Sequence, residues 1–71
     1  MKLSEANKLM EYLVALDEPL NRATEITMSI EDQVEAAEIR RKLAKIIISA
    51  HEAMIPIVRE YPELDPDKQP D

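Results

Sequence analysis

The chain of 71 residues contains no cysteine, no glycine, no phenylalanine and no tryptophan, and only two tyrosines and one histidine. Each absence excludes something. Without cysteine there are no disulfides and no thiolate metal sites. With His51 as the only imidazole, a zinc or iron centre within one chain would rest almost wholly on carboxylates, a poor donor set for those metals. Without glycine, the tight hairpins, phosphate-cradling loops and dinucleotide-binding turns that need its backbone freedom are disfavoured. No apolar run approaches the roughly 20 residues of a membrane span. The segment Met1-Lys2-Leu3-Ser4-Glu5 lacks the apolar stretch of a secretory signal. These absences point to a non-enzymatic protein in the cytoplasm, without cofactor or metal and away from membranes.

The charge is −6 overall. From residue 60 onward, Glu60, Glu63, Asp65, Asp67 and Asp71 stand against Lys68, a balance of −4, which leaves −2 for the rest. A nucleic-acid binder would carry a basic stripe to neutralise phosphates. The one basic group, Arg40, Arg41, Lys42 and Lys45, follows Glu31, Asp32, Glu35 and Glu38. It reads as pairing along a helix, and nucleic acid is not an expected partner.

What remains is the composition of a helical protein, rich in Ala, Glu, Leu, Ile and Lys. Ser4 is a candidate N-cap with Glu5 in the first turn. Ala6, Leu9, Leu13, Leu16, Leu20, Ala23 and Thr27 then follow heptad spacing, widened by Met10 and Val14. Pro19 lies on the polar line of this segment, with Lys8, Glu11, Glu18, Arg22 and Glu25. That position suits a kink in a continuous helix. The alternative is a break, with Asp17 capping a new helix and Pro19 in its first turn.

Thr24, Ile26, Thr27, Ser29 and Ile30 lower the helix propensity. Ser29-Ile30-Glu31-Asp32 reads as a capping signal with Ser29 as N-cap. Beyond it the best apolar line is Ala36, Ile39, Leu43, Ile46, Ala50, Ala53 and Ile57, flanked by Ile47, Met54 and Tyr61. This line is out of phase with the first helix, so the chain turns here. The domain is therefore residues 1–61: a helix over about 4–27, a turn at about 28–29 and a helix over about 30–61. Pro56 falls on the polar line and implies a bend, and Tyr61-Pro62 ends the helix. Residues 62–71 form an acidic, proline-rich tail, expected to be extended or disordered.

Between Leu43 and Val58, His51 apart, the residues that are not apolar are Lys45, Ser49, Glu52 and Pro56, along one line, so well over half of this stretch of the second helix is apolar. One shorter helix cannot cover it. The expected fold is all-α: an αα-hairpin of two unequal helices that dimerises into an antiparallel four-helix bundle. The expected oligomer interface comprises Leu9, Leu13, Leu16 and Leu20 from the first helix, with Ile39, Leu43, Ile46, Ile47, Ala50, Met54 and Ile57 from the second. Tyr61, Pro62 and Leu64 are candidate anchors for a further, unidentified protein partner.

His51 has no Glu-x-x-His or triad context and reads as a flanking residue of a helix interface, where protonation would weaken assembly. Three functional classes follow. The first is a homodimeric structural, adaptor or regulatory module. The second is an obligate partner subunit, in the manner of a small chaperone or antitoxin-like regulator. The third is a bundle enzyme with an inter-subunit site using Arg40, Arg41, Lys42 or His51.

Overall fold

The computed structural model describes residues 1–67. They form three α-helices: α1 over Leu3–Ala15, α2 over Asp17–Thr27 and α3 over Gln33–Glu60, followed by a 3-10 turn over Pro62–Leu64. The helices α1 and α2 form one arm of a hairpin, and α3 forms the other. The arms are antiparallel. Met1 at one end lies against Glu60, with its amino group 3.2 Å from the carboxylate, and Met28 at the other end lies against Arg40. Among the described residues there is no strand, and no helix is long and apolar enough to cross a membrane.

The first arm is not one continuous helix. It is interrupted at Leu16, whose backbone stays in the right-handed helical region at φ −70°, ψ −22°. The cause is three residues downstream. Pro19 has no N–H to give the Ala15 carbonyl, and its ring crowds the preceding turn. The ladder tightens, with the Leu16 amide donating to the Leu13 carbonyl at 3.2 Å, and resumes with the Leu20 amide on the Leu16 carbonyl at 3.1 Å. Pro19 thus sits in the first turn of α2, where a missing N–H costs least. The expected single helix over 4–27 is corrected to two, with Leu16, rather than Asp17, at the N-cap position.

The caps also differ from those read in the sequence. The first helix starts at Lys2, whose amide donates to the Glu5 carboxylate at 2.7 Å; Ser4 lies inside the helix. Asp32, not Ser29, caps α3, its carboxylate accepting from the amides of Val34 at 3.0 Å and Glu35 at 3.2 Å. Ser29 instead serves the end of α2, donating its hydroxyl to the Ile26 carbonyl at 2.7 Å. A carboxylate is the stronger partner for the positive end of a 28-residue helix. The turn is accordingly Met28 to Asp32, longer than the two residues expected.

The core is small. Ala6, Met10, Met54 and Ile57 are buried together, with Leu13, Val58, Tyr61 and Leu64 packed around them. Leu64 brings the segment after Tyr61 back onto the hairpin, and the turn closes with the Leu64 amide on the Tyr61 carbonyl at 3.0 Å. Within the tail, Pro62–Leu64 thus form a 3-10 turn. An apolar side chain and two prolines whose fixed φ suits tight turns outweigh its acidic composition. Residues 68–71, the remainder of that tail, lie outside the described residues.

The molecule measures 46 × 25 × 15 Å with a radius of gyration of 15.2 Å, against about 11 Å for a compact domain of this length. It exposes 5689 Å², whereas a compact monomer of the same mass exposes roughly 4,500 Å². A pair of helices side by side has no third layer to close over its flanks.

Candidate functional site

The two arms meet along lines that differ from the expected ones by one residue at every second position. In the first arm the inward residues are Ala6, Met10, Leu13, Asp17, Leu20, Thr24 and Thr27. In α3 they are Ala36, Arg40, Leu43, Ile47, Ala50, Met54, Ile57 and Tyr61. Leu9, Leu16, Ile39 and Ile46, expected on these lines, are exposed instead. Polar residues take inward positions because each finds a partner. The Thr24 hydroxyl donates to the Leu20 carbonyl at 2.9 Å, and the buried Thr27 hydroxyl donates to the Thr24 carbonyl at 2.6 Å. The Arg40 side chain reaches the Ala36 carbonyl and the Met28 sulfur. Asp17 stands 3.5 Å from the His51 imidazole of the other arm.

This one-residue shift determines what the hairpin presents outward. Of the eleven residues expected to join two copies, Leu13, Leu20, Leu43, Ile47, Ala50, Met54 and Ile57 pack between the arms of a single chain, buried or half-buried. The other four stand on one flank. Each immediately precedes an inward residue: Leu9 before Met10, Leu16 before Asp17, Ile39 before Arg40, Ile46 before Ile47. In an antiparallel pair of helices these preceding positions lie on the same side of both arms. Helical spacing adds to the first arm's share Tyr12, three residues after Leu9 and four before Leu16, and Ile26, three residues after Ala23. The six side chains make a two-arm apolar face, with Tyr12 73% and Ile26 67% exposed. Tyr12 and Ile26 were legible only as i, i+3 and i, i+4 neighbours of Leu9, Leu16 and Ala23, and the narrower heptad line passed them over.

The opposite flank carries residues that follow inward ones. Val14, Val58 and His51 line a groove there together with Ile55 and Met54. The groove encloses about 550 Å³. Its rim is Asp17 from α2, Arg59 near the end of α3, and Asp65, Pro66 and Asp67 from the returning segment. The Asp67 amide donates to the Asp65 carboxylate at 2.9 Å, which holds that edge in place. The His51 side chain is 58% exposed, beside Asp17 of the other arm. Further along α3, Val34 and Ile48 are also exposed on this side.

The remaining candidates are dispersed. Arg41 and Lys42 are exposed, Lys42 pairing with Glu38 at 3.5 Å one helical turn away. Asp32 is occupied as a cap. Among the described residues no three His, Asp or Glu side chains converge as a metal-binding group. Tyr61 and Leu64, expected as anchors for a partner, are half-buried against the core of their own chain, and only Pro62 of the three is exposed. Compared with protein-family profiles, with curated proteins and with solved structures, the chain matches none.

Proposed function

We propose that this chain is a small, non-enzymatic protein-interaction module that pairs with a second copy of itself as an antiparallel four-helix bundle. The interface is the face of Leu9, Tyr12, Leu16, Ile26, Ile39 and Ile46. The observation that carries this reading is the placement of six large apolar side chains on one side of both arms. Large apolar groups left in water there forgo roughly 1.5–3 kcal/mol each, and contiguous patches of this kind mark association surfaces. The excess of exposed area over a compact monomer is about 1,200 Å², more than the roughly 800 Å² that each partner contributes to a standard interface. A second hairpin laid on this face supplies the missing layer.

The test is light scattering coupled to gel filtration, over a concentration series. The expected mass is twice the 8.1 kDa of the chain. Leu16→Glu combined with Ile46→Glu should yield a helical monomer, whereas Ile48→Glu combined with Ile55→Glu, on the other flank, should leave the dimer intact. All four positions are exposed in the single chain, so neither pair removes its core. A wild-type chain that stays monomeric would overturn the reading in favour of an obligate subunit whose face is covered by a different protein.

A further inference from the structure

We infer that the groove on the opposite flank is a second, independent docking site, and that it takes a basic amphipathic peptide segment of a partner protein. Its floor is apolar, formed by Val14, Met54, Ile55 and Val58. Its rim is acidic: Asp17, Asp65 and Asp67 stand against Arg59, a balance of −2 with His51 left out of the count. The floor runs along the last turns of α3, where the unpaired carbonyls of the helix end add negative potential. An apolar floor between carboxylates fits a leucine- or methionine-sized side chain flanked by Lys or Arg. A cavity of about 550 Å³ accommodates two or three such side chains.

The same charges decide against the other classes of partner. Nucleic acid and an anionic lipid surface both present phosphates, which the three carboxylates repel. A second copy of the chain carries six more acids than bases, so the same carboxylates disfavour it here. The groove also differs in kind from the dimer face. It is concave and joins three separate stretches of the chain, around residue 17, at residues 51–59 and at residues 65–67. The partner would engage by the helix-in-groove mode, in which spaced apolar anchors give affinity and flanking charges give register.

The probe is a fluorescein-labelled peptide of about 14 residues, with leucines three and four apart on a lysine background. Binding to the full chain is read by fluorescence anisotropy. Asp17→Asn, Asp65→Asn and Asp67→Asn together should weaken binding about tenfold, the sum of three modest charge contributions. Ile55→Ser should weaken it by a similar factor through the floor. A charge-matched control, Glu11→Gln with Glu25→Gln and Glu52→Gln, removes three acids outside the groove and should leave affinity within about twofold. Amide chemical-shift changes in the wild-type chain should gather at Val14, His51, Ile55 and Val58, whatever its oligomeric state. Equal losses in the two triple variants would reduce the effect to net charge and overturn the site. So would equal binding of a lysine peptide lacking leucine, shifts centred on Leu16 and Ile46, or no binding at all. The dimer itself is read separately, by mass.

Discussion

The Tyr61 hydroxyl donates to the Met1 carbonyl at 2.8 Å, across 60 residues of chain. Beside it the Met1 amino group meets Glu60 at 3.2 Å. The two ends of the hairpin are thus fastened next to the core cluster, against which the Tyr61 ring also packs. Without this clasp, the first turn of α1 and the last turn of α3 would be free to fray.

Removing the hydroxyl alone therefore has a defined effect. Tyr61→Phe should lower stability by about 0.5–1 kcal/mol, the net worth of an accessible hydrogen bond, without altering oligomeric mass. Tyr61→Ala, which also removes the ring, should cost at least about 2 kcal/mol more. Urea denaturation followed by circular dichroism separates the two: equal losses would show that the ring contributes nothing, and no loss in Tyr61→Phe that the hydroxyl contributes nothing.

The two prolines should respond differently to replacement by alanine. Pro56 lies inside α3, where proline is about 3 kcal/mol less favourable than alanine, so Pro56→Ala should raise the urea midpoint clearly. Pro19 lies in the first turn of α2, and Pro19→Ala should gain less than about 1 kcal/mol. A larger gain at position 19 would mean that the interruption at Leu16 is strained.

Two serviceable caps compete on paper for the start of α3, and the geometry selects between them. Asp32→Ala should cost about 1 kcal/mol, the usual loss of a side-chain cap. Ser29→Ala should cost no more than about half as much, since its exposed hydroxyl only closes the preceding helix. Matched thermal melts at one protein concentration decide the ranking, and the reverse order would place the N-cap at Ser29.

The two most completely buried side chains are alanines. Ala6 and Ala36 have no exposed surface, so there is no room for added methylenes. Ala36→Leu should destabilise the hairpin by about 1–3 kcal/mol. Ala15→Leu, on an exposed position of α1, should be neutral within about 0.5 kcal/mol. Denaturant midpoints of the two variants provide the comparison.

Much of the architecture follows from local chemistry. The lack of glycine, the heptad spacing from Ala6 to Thr27, and the change of apolar phase near residue 29 together require two helical arms and a turn. The end of α3 next to Tyr61-Pro62 follows from the steric demand of proline on the residue before it. The wide apolar sector around Ile46-Ile47-Ile48 already implies that some of it must be covered by something other than the first arm.

Rotation of the arms about their axes is another matter. Two heptad lines in each arm share Ala6, Leu13, Leu20 and Thr27, or Ala36, Leu43, Ala50 and Ile57, and differ only at the residues between. Apolarity alone selects Leu9, Leu16, Ile39 and Ile46. The fold selects Met10, Asp17, Arg40 and Ile47, because the polar members gain partners on neighbouring turns or on the other arm. The partner of Asp17, His51, is defined only once the arms are side by side. The return of Leu64 and the groove beside His51 have the same origin, since they join residues far apart in the chain. Sequence by itself determined the helices, the turn and the surplus of apolar surface, all properties of neighbours along the chain. Tertiary structure decided which part of that surplus faces outward, because exposure depends on packing between arms.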